Sequence, residues 1–150
     1  MGEPLPGQIV DNIFVSIQQV RLANDVVVAA GDIMICEATT QYWIKAASAD
    51  VLEDGWGQSR VAADNTGGVD GAVVIEAMVP PSYIYAKAGG AIHPGDYVKL
   101  DASGQKWVAA AAADLAAGTV GGRYAGKAGT SIQGDAADLD IIIIKTGVAA

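Results

Sequence analysis

The chain has 150 residues, 51% of them apolar and only 17% charged, with 19 glycines and a net charge of −8. That length buries roughly 68–70% of the surface exposed by the unfolded chain, enough for a core without staples, and the acidic balance excludes broad contact with nucleic acid, whose affinity comes from Lys and Arg displacing counterions. One cysteine and one histidine exclude a disulfide framework and a zinc site of His and Cys ligands within one chain.

Residues 1–11 hold Pro4 and Pro6 and show no core pattern, which predicts an extended N-terminal arm that lies on something outside its own core. The opening MGEPLPGQ lacks a charged region followed by an apolar run, and no segment approaches the ~20 apolar residues of a membrane span. The expectation is a chain made in the cytoplasm with no membrane partner.

Short runs rich in Val, Ile, Tyr and Trp, broken by Gly, Asp, Asn or Pro, predict strands at 13–20, 26–29, 33–37, 42–46, 72–79, 83–87, 97–100, 106–109 and 140–145. In the first, Ile13, Val15 and Ile17 share one face and Phe14, Ser16 and Gln18 the other. Gly31-Asp32 precedes the third as a turn, with Gly supplying positive φ and Asp bonding to nearby backbone N–H groups. Cys36 in IMIC reads as a small buried hydrophobe. The loop EDGWGQSR presents Trp56, either packed against the loop or exposed as an anchor for another chain.

Pro80-Pro81 interrupts any ladder and marks a junction. Beyond it, His93 in AIHPGD sits ahead of a second Gly-Asp turn, Gly95-Asp96, and reads as a surface turn histidine. KWVAAAAADLAAG has high helix propensity but reads as strand then turn, with at most one helical turn. GGRYAGKAG is a glycine-rich stretch with Arg123 and Lys127 but without the spacing of a phosphate-binding Walker motif. Asp135, Asp138 and Asp140 form an acidic turn that lacks the 12-residue EF-hand pattern, with adventitious calcium as the minor alternative. DIIIIK, β-branched and without alternation, predicts a strand covered on both faces or a strand at a subunit contact.

An internal repeat organises these elements. Residues 31–58, GDIMICEATTQYWIKAASADVLEDGWGQ, align without gaps on residues 95–122, GDYVKLDASGQKWVAAAAADLAAGTVGG, and ten pairs are identical: Gly31/Gly95, Asp32/Asp96, Ala38/Ala102, Gln41/Gln105, Trp43/Trp107, Ala46/Ala110, Ala47/Ala111, Ala49/Ala113, Asp50/Asp114 and Gly57/Gly121. The division is an arm at 1–11, a first β module at 12–80 and a second at 81–150, with Trp43 and Trp107 as paired core anchors and Gly31, Asp32, Gly95 and Asp96 as the repeated turns. The fold class is all-β: a compact small barrel, a β-tulip-like form or a sandwich. Because an active site rarely occurs twice in equivalent turns, no catalytic, metal or cofactor residues are assigned, and no cofactor is expected.

The second copy, AGGAIHPGDYVKLDASGQKWVAAAAADLAAGTVGGRYAG, resembles the capsid cement and decoration proteins of tailed phages. The likeness lies in the Gly-Asp turn with alternating apolar residues, the Ala-rich stretch with Asp114 and Gly118, and the closing GRYAGKAG. It covers residues 86–146 well and the first copy more loosely, through VVVAAGDIMI and WIKAASAD. The resemblance implies a β-tulip-like protein on the outside of a capsid, often trimeric, which stabilises the shell. Its partners would be the major capsid protein and copies of itself, as a homotrimer, although two modules in one chain change the number of chains that a site needs. The arm residues Leu5, Pro6, Ile9 and Val10, with Trp56, are the candidate contacts to the capsid or a neighbour. Two other classes stay open: a carbohydrate-binding or host-contact module using Trp56, Tyr83 and Tyr85, and a small β-barrel enzyme.

Overall fold

The computed structural model describes residues 4–10, 15–48, 52, 55–128 and 134–147. Among them the first half of the chain forms β1 (Ser16–Arg21), β2 (Val27–Val28), β3 (Ile33–Cys36), β4 (Trp43–Lys45), β5 (Trp56–Ser59), β6 (Ala63–Asp64) and β7 (Val74–Val79). The second half forms β8 (Tyr83–Lys87), β9 (Tyr97–Leu100), β10 (Trp107–Ala109), α1 (Ala112–Ala117), β11 (Val120–Lys127) and β12 (Ile141–Thr146). The protein is all-β.

Each half builds its own antiparallel five-stranded sheet, and the two sheets have the same plan. Edge to edge, the first runs β4-β3-β5-β7-β1 and the second β10-β9-β11-β12-β8. Cys36 faces Trp43 in the β3–β4 ladder as Leu100 faces Trp107 in the β9–β10 ladder, which is the sequence alignment expressed as register. Val20 faces Ile75 as Ala86 faces Ile142. Val28 faces Ala63 in the small β2–β6 pair, and in the second half a bridge between Ile92 and Ala136 takes that place.

Of the architectures expected from sequence, a closed barrel is not formed among the described residues, because both sheets are open. Each curls until its edges touch once, through parallel bridges between Leu22 and Trp43 and between Ala88 and Trp107. Side chains inside the curl form one core per half. Val20, Leu22, Met34, Trp43, Ile75 and Ala77 fill the first. Ala86, Ala88, Val98, Trp107, Ile142 and Ile144 occupy the matching places in the second, whose core continues onto the outer face of the first sheet through Ile33, Trp56 and Met78. The alternation of strands decides which residues point inward.

Several local expectations change. The inward face of β1 carries Val20 and Leu22, the parity opposite to Val15 and Ile17, because the ladder sets Val20 against Ile75; Ile17 is left exposed. Ile13 and Phe14 lie outside the described residues. The alanine-rich stretch forms a six-residue helix closed by Gly118 at φ 75°, longer than the single turn expected. GGRYAGK forms most of β11, a strand absent from the expected set, and WGQS is not a loop but β5. Glycine serves there for close approach rather than for turning: a Cβ on Gly121 would lie 2.4 Å from the Trp107 ring. Ile141, Ile142 and Ile144 of β12 are buried and Ile143 is half-buried, as a strand covered on both faces requires.

Candidate interaction surface

The repeated turns are built by one reciprocal device. The Asp32 N–H donates to the Ala29 carbonyl at 3.1 Å while the Ala29 N–H donates to Asp32 Oδ2 at 2.8 Å. Asp96 and His93 repeat the exchange at 3.1 and 2.9 Å. Gly31 at φ 93° and Gly95 at φ 89° precede the aspartates, in a conformation that only glycine adopts at little cost. Asp140 and Ala137 make the same exchange at 3.1 and 2.9 Å, but there the residue before the aspartate is Leu139, at φ 71°. These three aspartates are turn chemistry, as the sequence suggests for the two Gly-Asp pairs.

The other acidic side chains of that last turn do not converge on a common point. Asp135 meets His93 Nδ1 at 3.0 Å, and this exposed pair raises the His93 pKa above its ordinary value of 6.5, first through the hydrogen bond and then through the charge of Asp135. Asp140 meets Lys127 at 3.2 Å, and its pKa is lowered first by the Ala137 N–H and then by Lys127. Among the described residues no group of three or more His, Cys, Asp or Glu side chains is placed to hold a metal ion. Arg123, in the same glycine-rich strand as Lys127, stacks 4.5 Å from the centre of the Tyr97 ring.

The tryptophans separate into distinct roles. Trp43 is 7% exposed in the first core and Trp107 fully buried in the second, so each anchors its own half rather than pairing with the other. Trp107 pairs instead with Trp56, at 5.2 Å between ring centroids and 52° between planes. Trp56 is therefore a strand residue 5% exposed, not a loop anchor for another chain, and it has no free face for stacking on a sugar. Tyr83 and Tyr85 are half-buried on the outer face of β8.

The arm departs from expectation in what it touches, since residues 4–10 lie along their own two halves. The Gly7 N–H donates to Gln58 Oε1 at 3.1 Å, Pro6 packs against Gly31, Ile9 bridges Ile84 on the edge strand β8, and Val10 is buried. The reason is that β8 is an edge with unpaired backbone groups, which an extended segment of the same chain reaches first. Leu5 and Ile9 keep 55% and 38% of their surface exposed, which leaves them and not Val10 available to a partner.

Where the arm crosses the halves, a groove of about 510 Å³ opens, lined by Leu5, Pro6, Arg60, Lys87, Lys106 and Ile141 among others. Its cations come from three separate strands and loops, so no run of basic residues in the sequence announces it. A second cavity, of about 900 Å³, lies where the halves meet and is lined by Gln18, Trp43, Trp56, Pro80 and Leu115 among others. Comparison of the chain with protein-family models, curated proteins and solved structures returned no match.

Proposed function

We propose that this chain is a structural virion protein that binds the outer surface of a phage capsid and stabilises the shell, with the major capsid protein and copies of itself as partners. It is assembled in the host cytoplasm and works as a homotrimer, the arrangement implied by its resemblance to cement and decoration proteins. The observation that carries the reading is the doubling of one open sheet, with matched strand order and matched registers in the two halves. Shell reinforcement draws on many modest contacts multiplied by symmetry, and a duplicated module offers each kind of strand edge twice per chain.

Mass photometry of the purified chain, followed by cosedimentation with empty capsids, tests the proposal. Saturable pelleting at a fixed number of copies per capsid is expected. A chain that stays in the supernatant at every concentration rules the function out.

A further inference from the structure

Leu139 takes the positive φ of the reciprocal Asp turn without being glycine, whereas Ala113, before the Asp114 that makes the same exchange with Ala111, lies in α1 and is spared that conformation. The same turn uses Gly31 and Gly95 at the position before the aspartate, whereas here a leucine is held at φ 71° with 57% of its surface exposed. A left-handed leucine costs conformational energy, and its side chain, more than half exposed, recovers little of it by burial within the chain. Beside it, the exposed Asp138 carboxylate has no partner among the described residues. The turn therefore offers an apolar tip next to an unpaired negative charge.

The groove beside the arm offers the complementary features. Of nine Lys and Arg residues, Lys45, Arg60, Lys99 and Lys127 pair with carboxylates, Arg21 donates to the Gly71 carbonyl and Arg123 stacks on Tyr97. Lys87, Lys106 and Lys145 are left without such a partner among the described residues, and the first two line this groove together with Leu5 and Pro6. In a chain of net charge −8, a groove that sets these two unpaired lysines and Arg60 against one carboxylate, Asp32, itself paired with Lys45, favours an acidic, apolar-tipped occupant.

We infer that the groove of one copy receives the Asp138–Leu139 turn of the next copy. Leu139 seats against Leu5 and Pro6, and the Asp138 carboxylate meets Lys87 and Lys106. The contact is head-to-tail, because groove and turn are different patches, and a head-to-tail contact closes into a ring when the rotation allows. Both patches lie at one end of β8: the Leu139 N–H donates to the Ala88 carbonyl, next to Lys87, and Ile141 faces Lys87 in the ladder while lining the groove. Such adjacency suits copies that meet around a common axis. This contact rests on the homo-oligomeric part of the function proposed above and supplies its interface.

The test uses the full chain and reads its mass by mass photometry at low and high salt. The wild type is expected to associate at low salt and to dissociate as salt rises. Lys87→Glu with Lys106→Glu in one chain, or Asp138→Lys alone, should each leave monomers. The triple variant, which reverses groove and tip together, should associate again. Leu139→Gly separates recognition from folding: it should weaken association at least tenfold while raising the denaturant midpoint, because glycine accepts the turn without strain. A wild type that is monomeric at every concentration, single reversals that leave association intact, or a triple variant that stays monomeric would each overturn the contact. Cosedimentation distinguishes the two proposals, because a monomer that still decorates capsids sinks this interface alone, whereas an oligomer that ignores capsids sinks the shell function alone.

Discussion

Gln105 and Ile33 exchange two hydrogen bonds across the boundary between the halves: the Ile33 N–H donates to Gln105 Oε1 at 2.8 Å, and Gln105 Nε2 donates to the Ile33 carbonyl at 3.0 Å. The same amide donates to the Ala46 carbonyl at 2.7 Å, so one side chain serves two buried residues of the other half. Its repeat counterpart, Gln41, is exposed and sits at φ 64°. Sequence identity at these two positions therefore conceals different roles. Removing Gln105 strands buried backbone groups, at about 1–3 kcal/mol each at most. Gln105→Ala is expected to cost about 2 kcal/mol in urea unfolding, and Gln41→Ala under about 0.5 kcal/mol, the usual range for surface changes. Equal effects would mean that the halves are not held together by this clamp.

A second prediction concerns Gly121. A Cβ there would lie 2.4 and 2.5 Å from two Trp107 ring carbons and 3.2 Å from Leu52. Trp107 is fully buried and braced by Trp56, so the ring cannot swing away without opening the core. Gly121→Ala should destabilise the chain by about 1–3 kcal/mol, the usual cost of overpacking, and should alter the near-UV circular dichroism of the tryptophans. An unchanged spectrum with unchanged stability would show that the ring is free to move.

These cases also show what was legible from residues alone. The all-β class and most strand positions followed from apolar runs broken by turn residues, since these are dictated locally. Strands β5 and β11 are not legible because glycine usually signals a turn, whereas Gly57 and Gly121 let a neighbouring strand or ring come close. The partner of Trp56 was equally hidden, since its polar neighbours suggested a loop while its ring reaches from the first sheet to Trp107 of the second half. The groove was not legible at all. Lys87 and Lys106 become neighbours only through sheet topology, and an unpaired lysine is defined by its surroundings rather than by its own type.

The His93–Asp135 pair predicts a pH response with a definite sign. The folded pKa of His93 lies above 6.5, so whatever the pair contributes is fully present below pH 6.5 and is lost as pH rises through the folded value. Both side chains are more than 60% exposed, so salt should weaken the pair strongly. An NMR titration of His93 should give a midpoint above 6.5 that returns toward 6.5 in Asp135→Asn and at about 1 M salt, where the Debye length is about 3 Å. The carboxylates behave in the opposite sense. Asp114, lowered first by the Ala111 N–H and then by Lys99, and Asp140 keep their contributions above pH 3.8 and lose them as pH falls through their depressed values. A His93 midpoint that ignores Asp135→Asn would place the cause elsewhere.

Deleting residues 1–11 should have two separable effects, because the arm has a buried and an exposed side. Val10 is 3% exposed and Gly7 is bonded to Gln58, so the deletion uncovers the edge of β8 and should cost about 2 kcal/mol, the value of burying one Val side chain. Both sheets draw all their strands from residues 16–146, so the far-UV β signal should persist. Leu5→Glu with Ile9→Glu changes only the exposed side, and because Leu5 also lines the groove between copies, the variant's mass is read beside its pelleting. If the arm is a shell contact, this double variant should lose cosedimentation with capsids at near-normal stability, since a charge on each exposed apolar position must be desolvated on docking. Loss of binding in the deletion but not in the double variant would instead make the arm a brace for β8, acting on the shell only through the fold it completes.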